Sequence, residues 1–331
     1  MRPRHLLVDR RDFLKKAGLG FAVLSALDLA RFGPVSPATT RVVLVRTSDR
    51  AQGVTAALRL LNPGGVRGRR VVLKPNFNSA DGGPASTHPD TLGRLVTELH
   101  ERGARSILLG ESSGPTNTRG VMEAKGVFEL AEELRFDVVD YDGIPDGDWV
   151  RFGPAGTLWP DGFWLPRHVV DAEYVVSACC LKTHGFGGVF TMSLKLSVGL
   201  TPKPIRRDMH RSPDMRRMIA DLNAAYRPDL VVLDGVEAFT DGGPSTGEIK
   251  RGDVVIAGHD RIAVDAVGLA VLKDLGSNDA ITGRKIFEQE QISRAVERGL
   301  GVRGPAEIDL VGPDPASRSY IDRLRPILAQ G

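Results

Sequence analysis

Two lysines and a histidine near the middle of the chain could bind an anion and move a proton. Lys182 and His184 follow residues 174–181, an apolar and β-branched run that is typical of a buried strand. A loop with three glycines comes next, and Thr191 and Lys195 then stand four positions apart, which is the spacing of one helix face. The pattern therefore predicts a polar site where a strand passes into a helix, the place where open α/β sheets bind ligands.

Other polar side chains follow several more of the predicted strands. They are Lys74 and Asn76, Glu111, Asp234 and Glu237, and His259 and Asp260. Because the strands of a parallel sheet end at one edge, we expect these side chains to share a cleft with Lys182 and His184. Turn formation also explains Glu111 and Asp234, and we favour a helix N-cap role for Asp260.

One kind of site that fits is an enzyme site for a small anion, a phosphate or a carboxylate. The predicted ligand-binding residues are Lys74, Asn76, Thr191 and Lys195, with the backbone N–H groups of Gly187 and Gly188. The predicted catalytic residues are His184, Lys182, Glu111 and Asp234. In this hypothesis Lys74 and Lys182 bind the anion and His184 acts as the acid or base. Glu111 and Asp234 orient His184.

A divalent metal is the second kind of site that fits. Here His184 binds the metal together with carboxylate ligands, for which the candidates are Glu111, Asp234 and Glu237. The chain has no compact metal motif such as His-Glu-x-x-His. A non-catalytic accessory protein that carries a metal or small ligand to an exported partner is the alternative from another functional class.

Several standard motifs are missing from the sequence. There is no Gly-x-Gly-x-x-Gly after the first strand, no Walker A loop and no Gly-x-Ser-x-Gly elbow, which argues against dinucleotide enzymes, P-loop NTPases and α/β-hydrolases. Cys179 and Cys180 are the two cysteines, too few for a four-cysteine iron–sulfur cluster, and we expect no such cluster. We interpret both as small buried strand residues.

The N-terminal segment resembles a twin-arginine export signal. Arg10 and Arg11 precede Phe-Leu-Lys and a weakly apolar run that is short for a membrane span. We therefore expect residues 1–38 to be signal and linker, with the twin-arginine machinery as a partner. The protein is then periplasmic or extracellular, and membrane-tethered if the signal stays uncleaved. The formal charge of +3 owes much to this segment, so nucleic acid is not an expected partner.

Strands and helices alternate along residues 39–331, which predicts one α/β domain with a mainly parallel, helix-covered sheet. Residues 141–168 interrupt the alternation, contain all three tryptophans, and predict a β-hairpin or flap insertion. Asp81-Gly-Gly-Pro recurs as Asp241-Gly-Gly-Pro. One interpretation of this repeated motif is two related halves around a cleft. The interpretation that we favour is a common turn used twice.

From about residue 41 to about residue 275 the chain resembles the domain of unknown function 362 family. The matching segments are Leu73–Asn76, Thr87–Pro89, Gly110–Ser112, Leu181–His184, Thr191–Lys195 with Gly199, Asp234-Gly235, Gly242–Pro244 with Gly247, and Gly258–Asp260 through Asp265. Many members have Lys-Asn where this chain has Lys195-Leu196. Some members carry a ferredoxin-like cysteine cluster that this chain lacks, so an iron–sulfur role is not carried over. The resemblance implies the fold and the site more than the chemistry.

Overall fold

Strands and the helices between them form the frame of the molecule in the computed structural model, which describes residues 39–330. The strands are β1 (Thr40–Arg46), β2 (Arg70–Pro75), β3 (Ser106–Glu111), β4 (Asp137–Asp140), β5 (Trp149–Phe152), β6 (Phe163–Pro166), β7 (Tyr174–His184), β8 (Val189–Thr191), β9 (Leu230–Gly242), β10 (Gly247–Gly258) and β11 (Ile308–Val311). The helices are α1 (Arg50–Leu61), α2 (Pro89–Glu101), α3 (Thr118–Ala124), α4 (Val127–Leu134), α5 (Arg167–Val170), α6 (Ser193–Leu196), α7 (Lys203–Arg211), α8 (Met215–Leu222), α9 (Arg261–Asp274), α10 (Asp279–Thr282), α11 (Glu290–Glu297) and α12 (Pro315–Ala329).

Nine of the described strands form one mixed sheet, in the order β11-β1-β10-β9-β7-β2-β3-β4, with β8 paired to β7. The pairs β11·β1, β9·β7, β7·β2, β2·β3 and β3·β4 are parallel. β10 runs antiparallel to both of its neighbours, and β8 runs antiparallel to β7. The prediction of a mainly parallel α/β sheet is confirmed.

Helices cover both faces of the sheet, and the central strand β7 supplies side chains to each. Since successive strand residues point to opposite faces, Cys179 and Leu181 pack with α9 while Val176 and Ala178 pack with α1 and α2. Both cysteines are free and buried. No helix within residues 39–330 has the length and apolar character needed to cross a membrane.

The predicted insertion at residues 141–168 contains a β-hairpin in which β5 pairs antiparallel with β6. Trp159 is buried, and its indole N–H donates to the carbonyl oxygen of Met218 at 3.0 Å. Phe152 and Phe163 stack with ring centroids 5.4 Å apart. The hairpin therefore packs onto the helical layer that contains α8.

Residues 118–134 form two helices, α3 and α4, because Gly126 between them has a left-handed φ of 66°. Strand β9 continues to Gly242, and the chain then returns directly as β10. Because β10 is antiparallel, His259 and Asp260 lie at the opposite edge of the sheet from Lys182, which corrects the prediction of a shared edge. His259 Nδ1 lies 2.7 Å from the carbonyl oxygen of Asp229, just before β9, and Asp260 caps α9 as favoured.

Candidate functional site

Lys74 and Glu111 form a buried ion pair where β2 and β3 end. Lys74 Nζ lies 2.5 Å from Glu111 Oε1 and donates to the carbonyl oxygen of Pro75 at 2.6 Å. Glu111 also accepts the backbone N–H groups of Phe77 and Ser112, each at 2.8 Å. Burial lowers the pKa of Lys74, and the Glu111 charge opposes that shift. The charge of Lys74 is therefore balanced within the protein by Glu111.

Lys182 lies inside β7, not after it, and its ammonium group joins two loops. Its Nζ donates to the carbonyl oxygens of Ala85 and Pro244, the latter at 3.2 Å. Ala85 directly follows the first Asp-Gly-Gly-Pro turn and Pro244 ends the second. The loops that contain these turns also meet through a 2.9 Å hydrogen bond from Asn78 Nδ2 to Ser245 Oγ. Burial lowers the pKa of Lys182 to about 8. Both acceptors are uncharged, so the positive charge of Lys182 has no carboxylate partner among the described residues.

His184, the last residue of β7, is oriented by the backbone and not by a carboxylate. Its Nδ1 accepts the N–H of Gly188 at 3.2 Å, which assigns the proton of the neutral ring to Nε2. Burial and then the positive charges of Lys195, His210 and Lys182 lower the pKa of His184 far below its usual value. The ring is therefore neutral near pH 7 and presents Nε2–H as a hydrogen-bond donor.

Lys195 lies in α6, and Thr191 ends β8, so the two residues do not share one helix face as predicted. The side chain of Lys195 is 8% exposed, and within residues 39–330 it has no hydrogen-bond acceptor and no ion-pair partner. Burial and then the charges of Lys182 and Arg206 lower its pKa to about 7. α6 itself is held by Asp265, whose carboxylate accepts the N–H groups of Ser193 and Leu194 at 2.8 and 2.9 Å.

Arg206 is a site residue that the sequence analysis missed. It lies in α7, a helix whose many charges are typical of a solvated face, yet its side chain is buried. Its guanidinium donates to the carbonyl oxygens of Thr201 at 2.7 Å, Ser112 at 2.9 Å and Ser113 at 2.7 Å. We name Lys74, Lys182, His184, Lys195 and Arg206, with the carboxylate of Glu111, the basic cluster.

Two of the predicted ligand-binding residues carry buried polar atoms without a partner. Asn76 Oδ1 and Thr191 Oγ1 are both buried, and neither has a hydrogen-bond partner within the described residues. Thr191 is the strand partner of Lys182, and Asn76 follows Lys74 by two positions. Native proteins rarely leave such atoms unsatisfied unless a ligand or water completes them.

The glycine loop lets the backbone approach the two ionisable side chains. A Cβ on Gly188 would lie 2.8 Å from both His184 Nδ1 and Lys195 Cε, so only glycine permits this packing. Gly187 has a left-handed φ of 82°. Val189, two positions later, is β-branched and is strained by a φ of 67°. Phe186 at the tip is 72% exposed, and its ring centroid lies 6.1 Å from that of His184.

Asp234 belongs to a separate cluster from His184. It lies inside β9 and accepts from Arg50 Nε at 2.9 Å and from Thr91 Oγ1 at 2.6 Å, while Glu237 pairs with the same arginine at 2.9 Å. Neither Asp234 nor Glu111 is hydrogen-bonded to His184, so the structure does not bring together the three metal candidates. In the part of the chain that the structure describes, no group of three His, Cys, Asp or Glu side chains is placed to hold a metal. The predicted export signal lies outside the described residues.

Comparison with known proteins gives three findings. A family model described as "Domain of unknown function (DUF362)" matches residues 71–270, a range that contains the whole basic cluster. The chain is 28% identical over 247 residues to "Thylakoid-associated protein sll1697" from Synechocystis sp. (strain ATCC 27184 / PCC 6803 / Kazusa), a match that covers 70% of this chain and 74% of that protein. The lactate racemase apoprotein from Thermoanaerobacterium thermosaccharolyticum is 18% identical with a TM-score of 0.44, over 66% of this chain and 54% of that chain, about half its length.

Proposed function

The chain belongs to the domain of unknown function 362 family, and from its basic cluster we propose that it is an enzyme acting on a small anionic substrate, a phosphate or a carboxylate. The observation that carries this proposal is the amino group of Lys195, a residue that is 8% exposed: the group has no acceptor in the described residues and lies near two further cations. A buried charge is costly unless it is paired, so an anion would supply the missing partner.

The charge balance of the basic cluster supports an anion over a neutral ligand. Four cationic side chains face one carboxylate, Glu111, which already pairs with Lys74. Lys182 and Arg206 donate to backbone carbonyl oxygens, which satisfy their hydrogen bonds but not their charge. Asp142, the nearby second acid, is ion-paired with Lys203 at 2.6 Å.

Hydrogen-bonding groups among the predicted site residues would fix the orientation of the anion. His184 Nε2–H, Thr191 Oγ1 and Asn76 are polar groups with unused capacity. A bound anion would also offset the neighbouring positive charges and raise the pKa of His184 toward the range where an imidazole transfers protons. His184 would then act as the acid or base of the reaction only in the occupied site.

Thermal denaturation of the full chain tests the anion site. We expect phosphate, acetate or pyruvate, added at about 100 times its Kd and at matched ionic strength against chloride, to stabilise the protein by about 2.7 kcal/mol, a shift of several degrees in Tm. Lys195→Met should abolish the shift. Lys285→Met, which changes an exposed lysine paired with Glu288, should keep it.

An equal Tm shift in Lys195→Met and Lys285→Met would contradict the anion site. Product analysis then separates an enzyme from an accessory protein. An anion that stabilises the protein but is recovered unchanged after incubation favours the accessory alternative.

We also propose that the protein is exported by the twin-arginine route. Support comes from the paired Arg10 and Arg11 and the weakly apolar run behind them. Cell fractionation with a variant in which both arginines are lysine tests this, since export by this route should be lost. An unchanged distribution would overturn the proposal.

A further inference from the structure

We propose that Lys195 is a nucleophilic amine that forms an imine with its substrate, which makes the substrate a small carbonyl compound bearing a carboxylate or a phosphate. This inference rests on the proposed anion site and adds the atom at which the reaction takes place.

Lys195 differs from the other three cations because its nitrogen has no hydrogen-bond acceptor on the protein within residues 39–330. Lys74 Nζ contacts Glu111 and the carbonyl oxygen of Pro75, and Lys182 Nζ has two carbonyl acceptors. Arg206 likewise donates to backbone oxygens on two segments. Oxygen acceptors of this kind favour the protonated ammonium form of a lysine, which has no lone pair and cannot attack, whereas an amine without them loses its proton more readily.

The surroundings of Lys195 favour its unprotonated form. Its neighbours Lys182 and Arg206 are cations held in place by backbone oxygens, and its stem packs against Gly188 beside the His184 ring. Desolvation together with a nearby cation is a known way for a protein to activate a lysine as a nucleophile. With a pKa lowered to about 7, a large share of the amine is neutral at neutral pH.

The same neighbours would place the substrate. Lys182 and Arg206 keep their positive charge when Lys195 is neutral, so they attract the carboxylate or phosphate. The Nε2–H of His184 can donate to the carbonyl oxygen and polarise it. With the anionic group and the carbonyl oxygen held in this way, the carbonyl carbon of the substrate would face Lys195 Nζ.

The step balances without a further reactant. The Nζ lone pair attacks the carbonyl carbon, a C–N bond forms, and the C=O π electrons move onto oxygen, giving a carbinolamine after proton transfer from nitrogen to oxygen. The C–O bond then breaks. Both hydrogens of the amine leave with the oxygen as water, and the C=N bond remains.

Reductive trapping on the full-length protein tests the inference. The protein is incubated with pyruvate and sodium borohydride, digested, and analysed by peptide mass spectrometry. We expect the reduced pyruvate adduct on Lys195 at least about ten times more often than on exposed Lys285, and much less adduct from acetone, which has the carbonyl but no carboxylate. Lys195→Arg should lose the adduct, and Lys285→Arg should keep the adduct on Lys195.

The outcomes separate this inference from the anion site. No adduct on Lys195, or adduct spread evenly over the exposed lysines, overturns the imine. If phosphate and acetate still raise the Tm of the wild type but not of Lys195→Met, the anion site stands without the imine. If acetone labels Lys195 as well as pyruvate does and no anion raises the Tm, the amine is reactive but the anion site is wrong.

Discussion

The side chain of Lys195 lowers the stability of the folded protein. A buried ammonium group without a partner destabilises the folded protein, and methionine would keep most of the apolar stem without the charge. We therefore expect Lys195→Met to be more stable than the wild type in the absence of ligand. Residues kept despite such a cost are typical of functional sites.

The stability gain of Lys195→Met should depend on pH. The folded pKa of Lys195 is lowered to about 7, and the unfolded pKa is about 10.4, so the unfolded chain binds more protons between these values. Wild-type stability therefore rises with pH over this window, and the full penalty applies below about pH 7. Urea denaturation should give the variant an advantage on the order of 3–5 kcal/mol at pH 6.5 that shrinks toward pH 10. A difference that does not change with pH would contradict the lowered pKa.

At the scale of single residues, the sequence predicted which residue types lie at the site but not which side chains they contact. The positions of Lys74, Glu111 and Lys182 after or near strand ends were readable from apolar runs. Glu111 pairs with Lys74 and not with His184. This choice depends on the directions of the side chains at the sheet edge, which the spacing of residues in the sequence does not specify. Arg206 was missed because a charged helix predicts a solvated face, whereas the structure buries that one side chain.

At the scale of elements, the short 3-10 turn at Ser197–Leu200 packs against the Lys74–Glu111 ion pair. A Cβ on Gly199 would lie 2.8 Å from Lys74 Nζ and 3.0 Å from Glu111 Oε1. We expect Gly199→Ala to cost about 1–3 kcal/mol of unfolding free energy, because the buried pair must shift to admit the methyl group. Chemical denaturation measures the change.

Gly143→Ala is the matched control for Gly199→Ala. Gly143 also lies in a 3-10 turn, Tyr141–Gly143, but a Cβ there meets nothing within 4 Å. The control should be neutral or slightly stabilising, by up to about 1 kcal/mol. Equal losses in the two variants would mean that the turn backbone, and not the ion pair, sets the cost.

Element directions were harder to predict than element positions. Apolar runs located most strands of the sheet, but a Gly-Gly-Pro turn after β9 fits both a loop to the next helix and a hairpin. The structure forms the hairpin with β10, which reverses the chain and moves His259 to the far edge. The prediction of a shared edge was wrong for His259 and Asp260 because it treated β10 as a parallel strand, whereas β10 follows β9 through a hairpin and runs antiparallel to it.

At the scale of the whole molecule, Lys182 joins two distant parts of the chain. The turn that follows β2 and the turn between β9 and β10 each place a backbone carbonyl on its Nζ. The recurrence of Asp-Gly-Gly-Pro was visible in the sequence, but the meeting of the two turns at one ammonium group needs the sheet order β9-β7-β2, which sets the three strands side by side. Lys182 therefore acts as a positioning residue for both turns at the edge of the basic cluster.

Lys182→Met should loosen both turns together. Removing the ammonium group leaves two carbonyl oxygens without their donor, and an unsatisfied buried polar group costs about 1–3 kcal/mol. Each 1.4 kcal/mol lost from local stability raises amide hydrogen exchange about tenfold, so we expect faster exchange over residues 79–87 and 241–247 at once. Lys250→Met is the matched control, because its Nζ bonds the carbonyl oxygens of Leu275 and Gly276 at a single place. Faster exchange in only one of the two turns would show that Lys182 does not join them, since a shared donor must release both.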